Sequence, residues 1–326
     1  MRRYEAALVA CLVAAPLALA QTPPPTSASR PAAARSHPEL LVTTDWLAAR
    51  LDSPGVVIVQ VGRTDAAYRS GHIPGARYLP LAAVAREVRG IPNEFPPREE
   101  MAETFRDLGV GNTARIVLYG DDAGLLAARV FVALDLLGHG ARAALLDGGL
   151  ARWTRESRSL ATASPAVTPR PFTVRWHGDR VVSAEWVRSH LGGRSVAFVD
   201  ARPAEQYGGV EPPCPPGQAC VQTPVERRGH LPGATSRWWG ENLVSRDDPV
   251  LKPGDTLRAE WSQRTGADAG SGRTIVTYCH SGMQASYDYF VARYLGYRDV
   301  RLYDGSMAEW TGLTPAARYP VEQAAP

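Results

Sequence analysis

Short runs of β-branched and other apolar residues alternate along the chain with stretches whose apolar positions recur every three or four residues. Strands are predicted at residues 56–61, 115–119 and 143–146, and again at 195–200, 274–278 and 300–303. Helices are predicted over 44–50, 101–108, 125–137, 184–191 and 286–295. In the last of these Phe290, Val291, Tyr294 and Leu295 share one face, and Gly296 is placed to cap the end. Strand alternating with amphipathic helix predicts an α/β fold, a parallel sheet with helices on both faces.

The pattern occurs twice. Gly71-His72-Ile73-Pro74-Gly75-Ala76 returns as Gly229-His230-Leu231-Pro232-Gly233-Ala234, a shift of 158 positions. Leu146-Asp147-Gly148-Gly149 with Trp153 returns as Tyr303-Asp304-Gly305-Ser306 with Trp310, and Gly138-His139 returns as Gly296-Tyr297. The chain is therefore a tandem duplication, not a short-period solenoid. Residues 38–160 form the first predicted domain and 173–320 the second. The stretch 161–172, with Pro165, Pro169 and Pro171, is the linker between them.

Composition adds a preface to these domains. Arg2 and Arg3 precede an apolar run from Ala6 to Ala20 that ends in the small-residue site Ala18-Leu19-Ala20, so residues 1–20 read as a secretory signal. Leu8-Val9-Ala10-Cys11 also resembles a lipobox, but the apolar spacer before it is too short, and export to the periplasm without lipidation at Cys11 is the expectation. Residues 21–37, rich in Pro, Ala, Ser and Thr, form a flexible leader. No later segment is apolar for long enough to span a bilayer. The formal charge of +3 loses Arg2, Arg3 and Glu5 with the signal, and no basic block remains that points to nucleic acid.

Three cysteines follow the signal. Cys214 and Cys220 bracket a turn-rich Pro-Pro-Gly segment, for which a local disulfide is the favoured reading and a zinc pair the rival, at a spacing wide for zinc and without companion ligands. Cys279 is different, because it ends a predicted strand and opens the loop Cys279-His280-Ser281-Gly282-Met283-Gln284-Ala285 before a helix. Backbone N–H groups and the positive end of the helix dipole would face its sulfur, and a lowered thiol pKa is expected. A buried structural cysteine is the alternative, but a core cysteine has no need of Gly282 or of small residues at the helix entrance. In the first half the matching turn is Gly120-Asp121-Asp122-Ala123-Gly124, which has no nucleophile and would repel an anion.

The two G-H-[IL]-P-G-A segments, the two D-G-[GS] segments followed by Trp, and the single cysteine heading a six-residue loop together resemble the tandem-domain rhodanese family, the thiosulfate and 3-mercaptopyruvate sulfurtransferases. The resemblance spans residues 38–320. It implies two rhodanese-like domains and a ping-pong reaction in which Cys279 takes a sulfane sulfur from a small anionic donor and passes it to a thiol, cyanide or protein acceptor, without metal or organic cofactor. Under it Arg202 faces the donor anion, against the alternative of an ion pair with Glu205. The amides from His280 through Gly282, Met283, Gln284 and Ala285 to Ser286 form the cradle, Ser281 and His72 assist Cys279, and His280 adds positive charge when protonated. The loop start, Cys279-His280-Ser281-Gly282, matches neither donor class, and Gln206 stands where mercaptopyruvate enzymes carry a second arginine, which favours thiosulfate. Trp238 and Trp239 are expected either to wall the cleft or to pack in the core. A phosphatase on the same fold would need Cys-x5-Arg, where this chain has Ala285. A non-turnover persulfide carrier or redox sensor is the remaining alternative.

Overall fold

The computed structural model describes residues 36–120, 122–210 and 225–323. Cys11, Cys214 and Cys220, the signal, most of the leader and Asp121 lie outside them. The first half runs β1 (Leu41–Val42), α1 (Thr44–Ala48), β2 (Val56–Gly62), α2 (Ala66–Ser70), β3 (Arg77–Pro80), β4 (Arg86–Val88), β5 (Ile91–Glu94), α3 (Arg98–Asp107), β6 (Arg115–Tyr119), α4 (Leu125–Leu136), β7 (Ala143–Leu146) and α5 (Gly149–Arg155). The second runs α6 (Ala184–His190), β8 (Val196–Asp200), α7 (Ala204–Tyr207), β9 (Thr235–Ser236), α8 (Gly254–Thr265), β10 (Thr274–Tyr278), α9 (Met283–Leu295), β11 (Val300–Leu302) and α10 (Ser306–Gly312).

Each half holds one parallel sheet, in the order β1-β7-β6-β2-β3 and β11-β10-β8-β9. Side chains on a strand alternate between faces, and both faces here are covered. Val57, Val59 and Val61 of β2 join one core cluster with Phe105 of α3 and Phe131 of α4, while Ile58 joins another with Leu47 of α1 and Trp153 of α5. In the second half Val199 and Ile275 share a cluster with Trp261 of α8 and Phe290 of α9, and Phe198 and Val276 face Val187 of α6 and Trp310 of α10. Burial on both faces is why these strands are runs of Val, Ile and Leu.

The duplicated motifs hold the same positions in both halves. Tyr119 Oη accepts the Ile73 amide at 3.0 Å and Tyr278 Oη the Leu231 amide at 3.1 Å, tying each G-H-[IL]-P segment to the central strand. His72 stacks on Tyr68 and His230 on Tyr207, each donating from Nδ1 to that tyrosine's carbonyl at 2.8 Å. Gly138 and Gly296 end α4 and α9 with φ near +90°, and the next residue's amide bonds back to Leu134 and Ala292. Residues 161–172 lie along the first half, with Ala161 paired to His72, Arg170 bonded to Arg106 and Phe172 stacked on Phe105 and His139.

The corresponding helices α4 and α9 pack against each other. Phe131 meets Phe290 edge to face at 5.0 Å, and Tyr289 Oη donates to Asp135 at 2.7 Å. One core cluster consequently runs through both halves. No helix among the described residues is long and apolar enough to cross a membrane.

Candidate active site

The carboxyl ends of β8 and β10 lie side by side, with Asp200 opposite Tyr278, so the next residues of each strand, Ala201-Arg202 and Cys279, emerge together. Ligand sites of open α/β sheets form at this edge, where loops leave the strands and helices begin. Cys279 is 1% exposed and is the free cysteine of the described residues. Its loop turns at Gly282, φ +80°, directly before α9. A Cβ there would overlap the Asp304 carboxylate and press on Arg129, so the position requires glycine on two counts.

The loop is held from below by Ser306. Its hydroxyl accepts the amides of Cys279 at 3.1 Å and Gly282 at 3.2 Å and donates to the Tyr303 carbonyl at 2.8 Å. The start of α10 adds Met307 N–H to the Cys279 carbonyl and Ala308 N–H to that of His280. With the outward carbonyls so engaged, the amides of Ala285, Ser281 and Gln284 hydrogen-bond toward the sulfur. The cradle expected from the sequence is present, but the expected fall in thiol pKa is not. Burial pushes the Cys279 thiol up, those amides pull it down, and the nearby Asp200 carboxylate pushes it up again. In the closed site desolvation prevails.

Arg202 is buried and bonded to Asp200, not to Glu205. Nε donates to Oδ1 at 2.9 Å and Nη2 to Oδ2 at 2.6 Å, and Nη2 also reaches the Gly229 carbonyl at 2.7 Å. Burial works against its charge, but Asp200 and the proximity of Cys279 outweigh that and hold the guanidinium firmly protonated. Nη1 makes no hydrogen bond among the described residues. Gln206 is buried and neutral. Met283 and Ala285 are buried at the helix start, and Gln284 and His280 are half-buried. Trp239 is a core residue against Tyr287, with the partly buried Trp238 edge-on to it at 6.2 Å.

His72 departs from its expected role. It is fully buried with Nδ1 on the Tyr68 carbonyl and Nε2 3.3 Å from that of Ala163, and none of these contacts is with the Cys279 loop. Its counterpart His230 braces its own turn in the same way, so the histidine holds the turn of the repeat in both halves.

Asn93, of the first half, meets Ser281 instead, donating from Nδ2 to Oγ at 2.8 Å. Beside it Arg129 forms a buried ion pair with Asp304, at 2.5 and 3.0 Å, bonds the Asn93 carbonyl, and lies 3.4 Å over the Phe95 ring. The Phe95 amide completes the clamp on Asp304 at 3.2 Å. Glu94, half-buried, is pushed up to about 7 by desolvation and by Asp304 and Glu309. Behind the loop, Asp288 of α9 accepts from Asn242 at 2.6 Å, and burial pushes it up to about 7 against the pull of Arg237. Asn93, Arg129, Ser306 and Asp288 were not anticipated from the sequence.

A model of the rhodanese-like domain matches residues 43–156 and again 183–313. Thiosulfate sulfurtransferase of Corynebacterium glutamicum is 31% identical over 88% of this chain and 91% of its own length. Sulfur carrier protein TtuD of Thermus thermophilus is 31% identical over 85% of this chain and 95% of its own. Among solved structures, SseA from Escherichia coli, titled as a 3-mercaptopyruvate sulfotransferase, superposes with a TM-score of 0.68 at 28% identity, covering 82% of this chain and 98% of that one. With two copies of the domain and relatives matched along most of its length, the chain belongs to the rhodanese-like family.

Proposed function

We infer that the chain is a sulfurtransferase that moves a sulfane sulfur from thiosulfate to a thiophilic acceptor through a persulfide on Cys279. The observation that carries this reading is the buried Cys279 sulfur with three backbone amides converging on it and the Arg202 charge close by. The thiolate attacks the outer sulfur of thiosulfate, an S–S bond forms, the S–S bond of the donor breaks, and its electron pair leaves on sulfite. The persulfide anion then loses its outer sulfur to cyanide or a thiolate, which regenerates the Cys279 thiolate. Amides and a fixed cation stabilise both anionic sulfur species at no cost in reorganisation.

Thiosulfate is favoured over 3-mercaptopyruvate because Gln206 offers no charge to a carboxylate, while Arg202 Nη1 has hydrogen-bonding capacity left for a sulfonate. Export is part of the same proposal and is supported by the amino-terminal pattern from Arg2 to Ala20. The likeness to TtuD favours a second reading, a sulfur carrier loaded by a partner protein. Against it stands the burial of Cys279, which a small donor can reach more readily than another protein's sulfur.

Thiocyanate formation from thiosulfate and cyanide tests the proposal, alongside mass spectrometry of the Cys279 peptide. The expected result is turnover that climbs with pH as the raised thiol ionises, a one-sulfur adduct of about 32 Da on the wild type, and neither in Cys279→Ser. An adduct without turnover on any small donor would move the assignment to a carrier.

A further inference from the structure

The hairpin β4–β5 is two short antiparallel strands with an irregular register and little apolar surface, too little to stand alone. It is fixed from two sides, through the Asn93 carbonyl on Arg129 of α4 in the first half, and through the Phe95 amide on Asp304 and the Asn93 side-chain amide on Ser281 in the second. Asn93 has φ +61°, a left-handed backbone that asparagine tolerates better than most side chains.

A side-chain NH2 group can only donate. Asn93 Nδ2 therefore occupies a lone pair of Ser281 Oγ, and the hydroxyl hydrogen has to point elsewhere. Among the described residues no hydrogen bond takes the Ser281 hydroxyl as donor, although its backbone amide is directed at the Cys279 sulfur. That hydrogen is free to turn to an anionic sulfur on Cys279, toward which the Ser281 amide already points.

We propose that Asn93 is a positioning residue, supplied by the first domain, that turns the Ser281 hydroxyl into a fixed hydrogen-bond donor to the anionic sulfur on Cys279. A histidine at this place would accept the hydroxyl proton and make Ser281 a base-activated group. The Asn93 amide excludes that, and Ser281 acts as a neutral donor to thiolate and persulfide. The proposal rests on Cys279 being the sulfur-carrying group and adds the reason for keeping a first domain without a nucleophile of its own: it completes the loop of the second.

The test is a double-mutant cycle on the full chain with Asn93→Gly, which keeps the left-handed backbone, Ser281→Ala, and the pair. Two readouts are taken, thiosulfate–cyanide turnover and the Cys279 pKa from the pH dependence of alkylation by iodoacetamide. Asn93→Gly should lower kcat about tenfold with KM changed less than twofold and shift the alkylation pKa upward, and Ser281→Ala should do at least as much. The pair should match Ser281→Ala alone, with melting temperatures unchanged. In Asn93→Asp the carboxylate accepts the hydroxyl hydrogen and turns it away from sulfur, so its activity relative to wild type should rise as pH falls. Additive losses in the pair, or an unshifted pKa in Asn93→Gly, overturn the proposal. Alkylation needs no donor, so a wild type that fails to turn over thiosulfate while the coupled pKa shifts persist would defeat the sulfurtransferase reading and leave the role of Asn93 intact.

Discussion

Gly149 and Ser306 hold the same left-handed backbone, φ 55° and 52°, in the two copies of one turn, and only Ser306 carries a side chain. Its strain costs about 1 kcal/mol, and in return the hydroxyl accepts the amides of Cys279 and Gly282 and fixes the loop. In the first half the space is already taken, since a Cβ on Gly149 would come within 3.2 Å of the Gly120 carbonyl. There the Asp122 carboxylate accepts the Leu126 amide and caps α4 from within its own loop. One loop turns its amides to a sulfur, while the other satisfies its helix itself. Duplication supplied the frame twice, and a few side chains set the two loops apart.

The sharpest way to break this comparison is the pair of glycines that precede α4 and α9. Gly124 and Gly282 have φ +85° and +80°, so alanine strains both by about 1 kcal/mol. Around Gly124 the nearest atom to a Cβ is 3.5 Å away on Tyr287, whereas at Gly282 a Cβ runs into the Asp304–Arg129 pair. Gly282→Ala should therefore cost about 3–5 kcal/mol, because it breaks a buried ion pair, and lower turnover more than a hundredfold. Gly124→Ala should cost about 1 kcal/mol and leave turnover within about twofold. Urea unfolding and steady-state assays on both variants check this, and equal losses at the two sites would mean the repeats share their constraint after all.

Ser306 gives a smaller effect. Ser306→Gly relieves about 1 kcal/mol of strain but loses three hydrogen bonds and leaves two buried amides without their acceptor, so stability should fall by about 2 kcal/mol, which a folded domain tolerates. Turnover should nonetheless fall about tenfold as the Cys279 and Gly282 amides lose their common acceptor. Unchanged turnover in the folded variant would show that the serine braces the domain and not the loop.

The frame was legible in the sequence because both sheets are buried on two faces, which writes each central strand as an apolar run and each covering helix as a periodic one. The strands at 115–119, 143–146 and 274–278 lie where that pattern puts them. The hairpin β4–β5 was not legible, since Arg86 to Glu94 is mostly polar, shows no alternation and contains Pro92. Nor was α8, whose buried side chains are only Leu257, Trp261 and Thr265.

In the site, local contacts were readable and distant ones were not. Cys279 and its loop are a single contiguous motif, but Asn93 meets Ser281 across 188 positions and Arg129 meets Asp304 across 175. One signal was available: Arg129 and Asp135 are the two charges in the otherwise apolar α4, and both reach into the second half. The thiol expectation failed for a related reason. Loop geometry can be read from spacing, but the depth of burial that drives the pKa upward comes from tertiary packing around the loop.

The mildest expected effect separates α4 from α9 themselves. Counting from Gly124 and Gly282, Val130 of α4 corresponds to Asp288 of α9, and both are buried. The Asp288 carboxyl bonds Asn242 through Oδ1, and Oδ2 has no partner among the described residues. Its folded pKa of about 7 lies above the unfolded value of about 3.9. Between those values the native state holds the proton more tightly, so stability falls as pH rises through about 4 to 7 and stays reduced above 7. Converting the whole shift gives about 4 kcal/mol as an upper bound, and the attraction of Arg237 is lost with the charge. Asp288→Asn should thus match wild type at pH 4 and exceed it by about 1–2 kcal/mol at pH 8, measured by urea unfolding at both. A variant less stable than wild type at pH 8 would mean that Arg237 keeps the carboxylate charged, and that α9 differs from α4 by a buried ion pair instead of a buried acid.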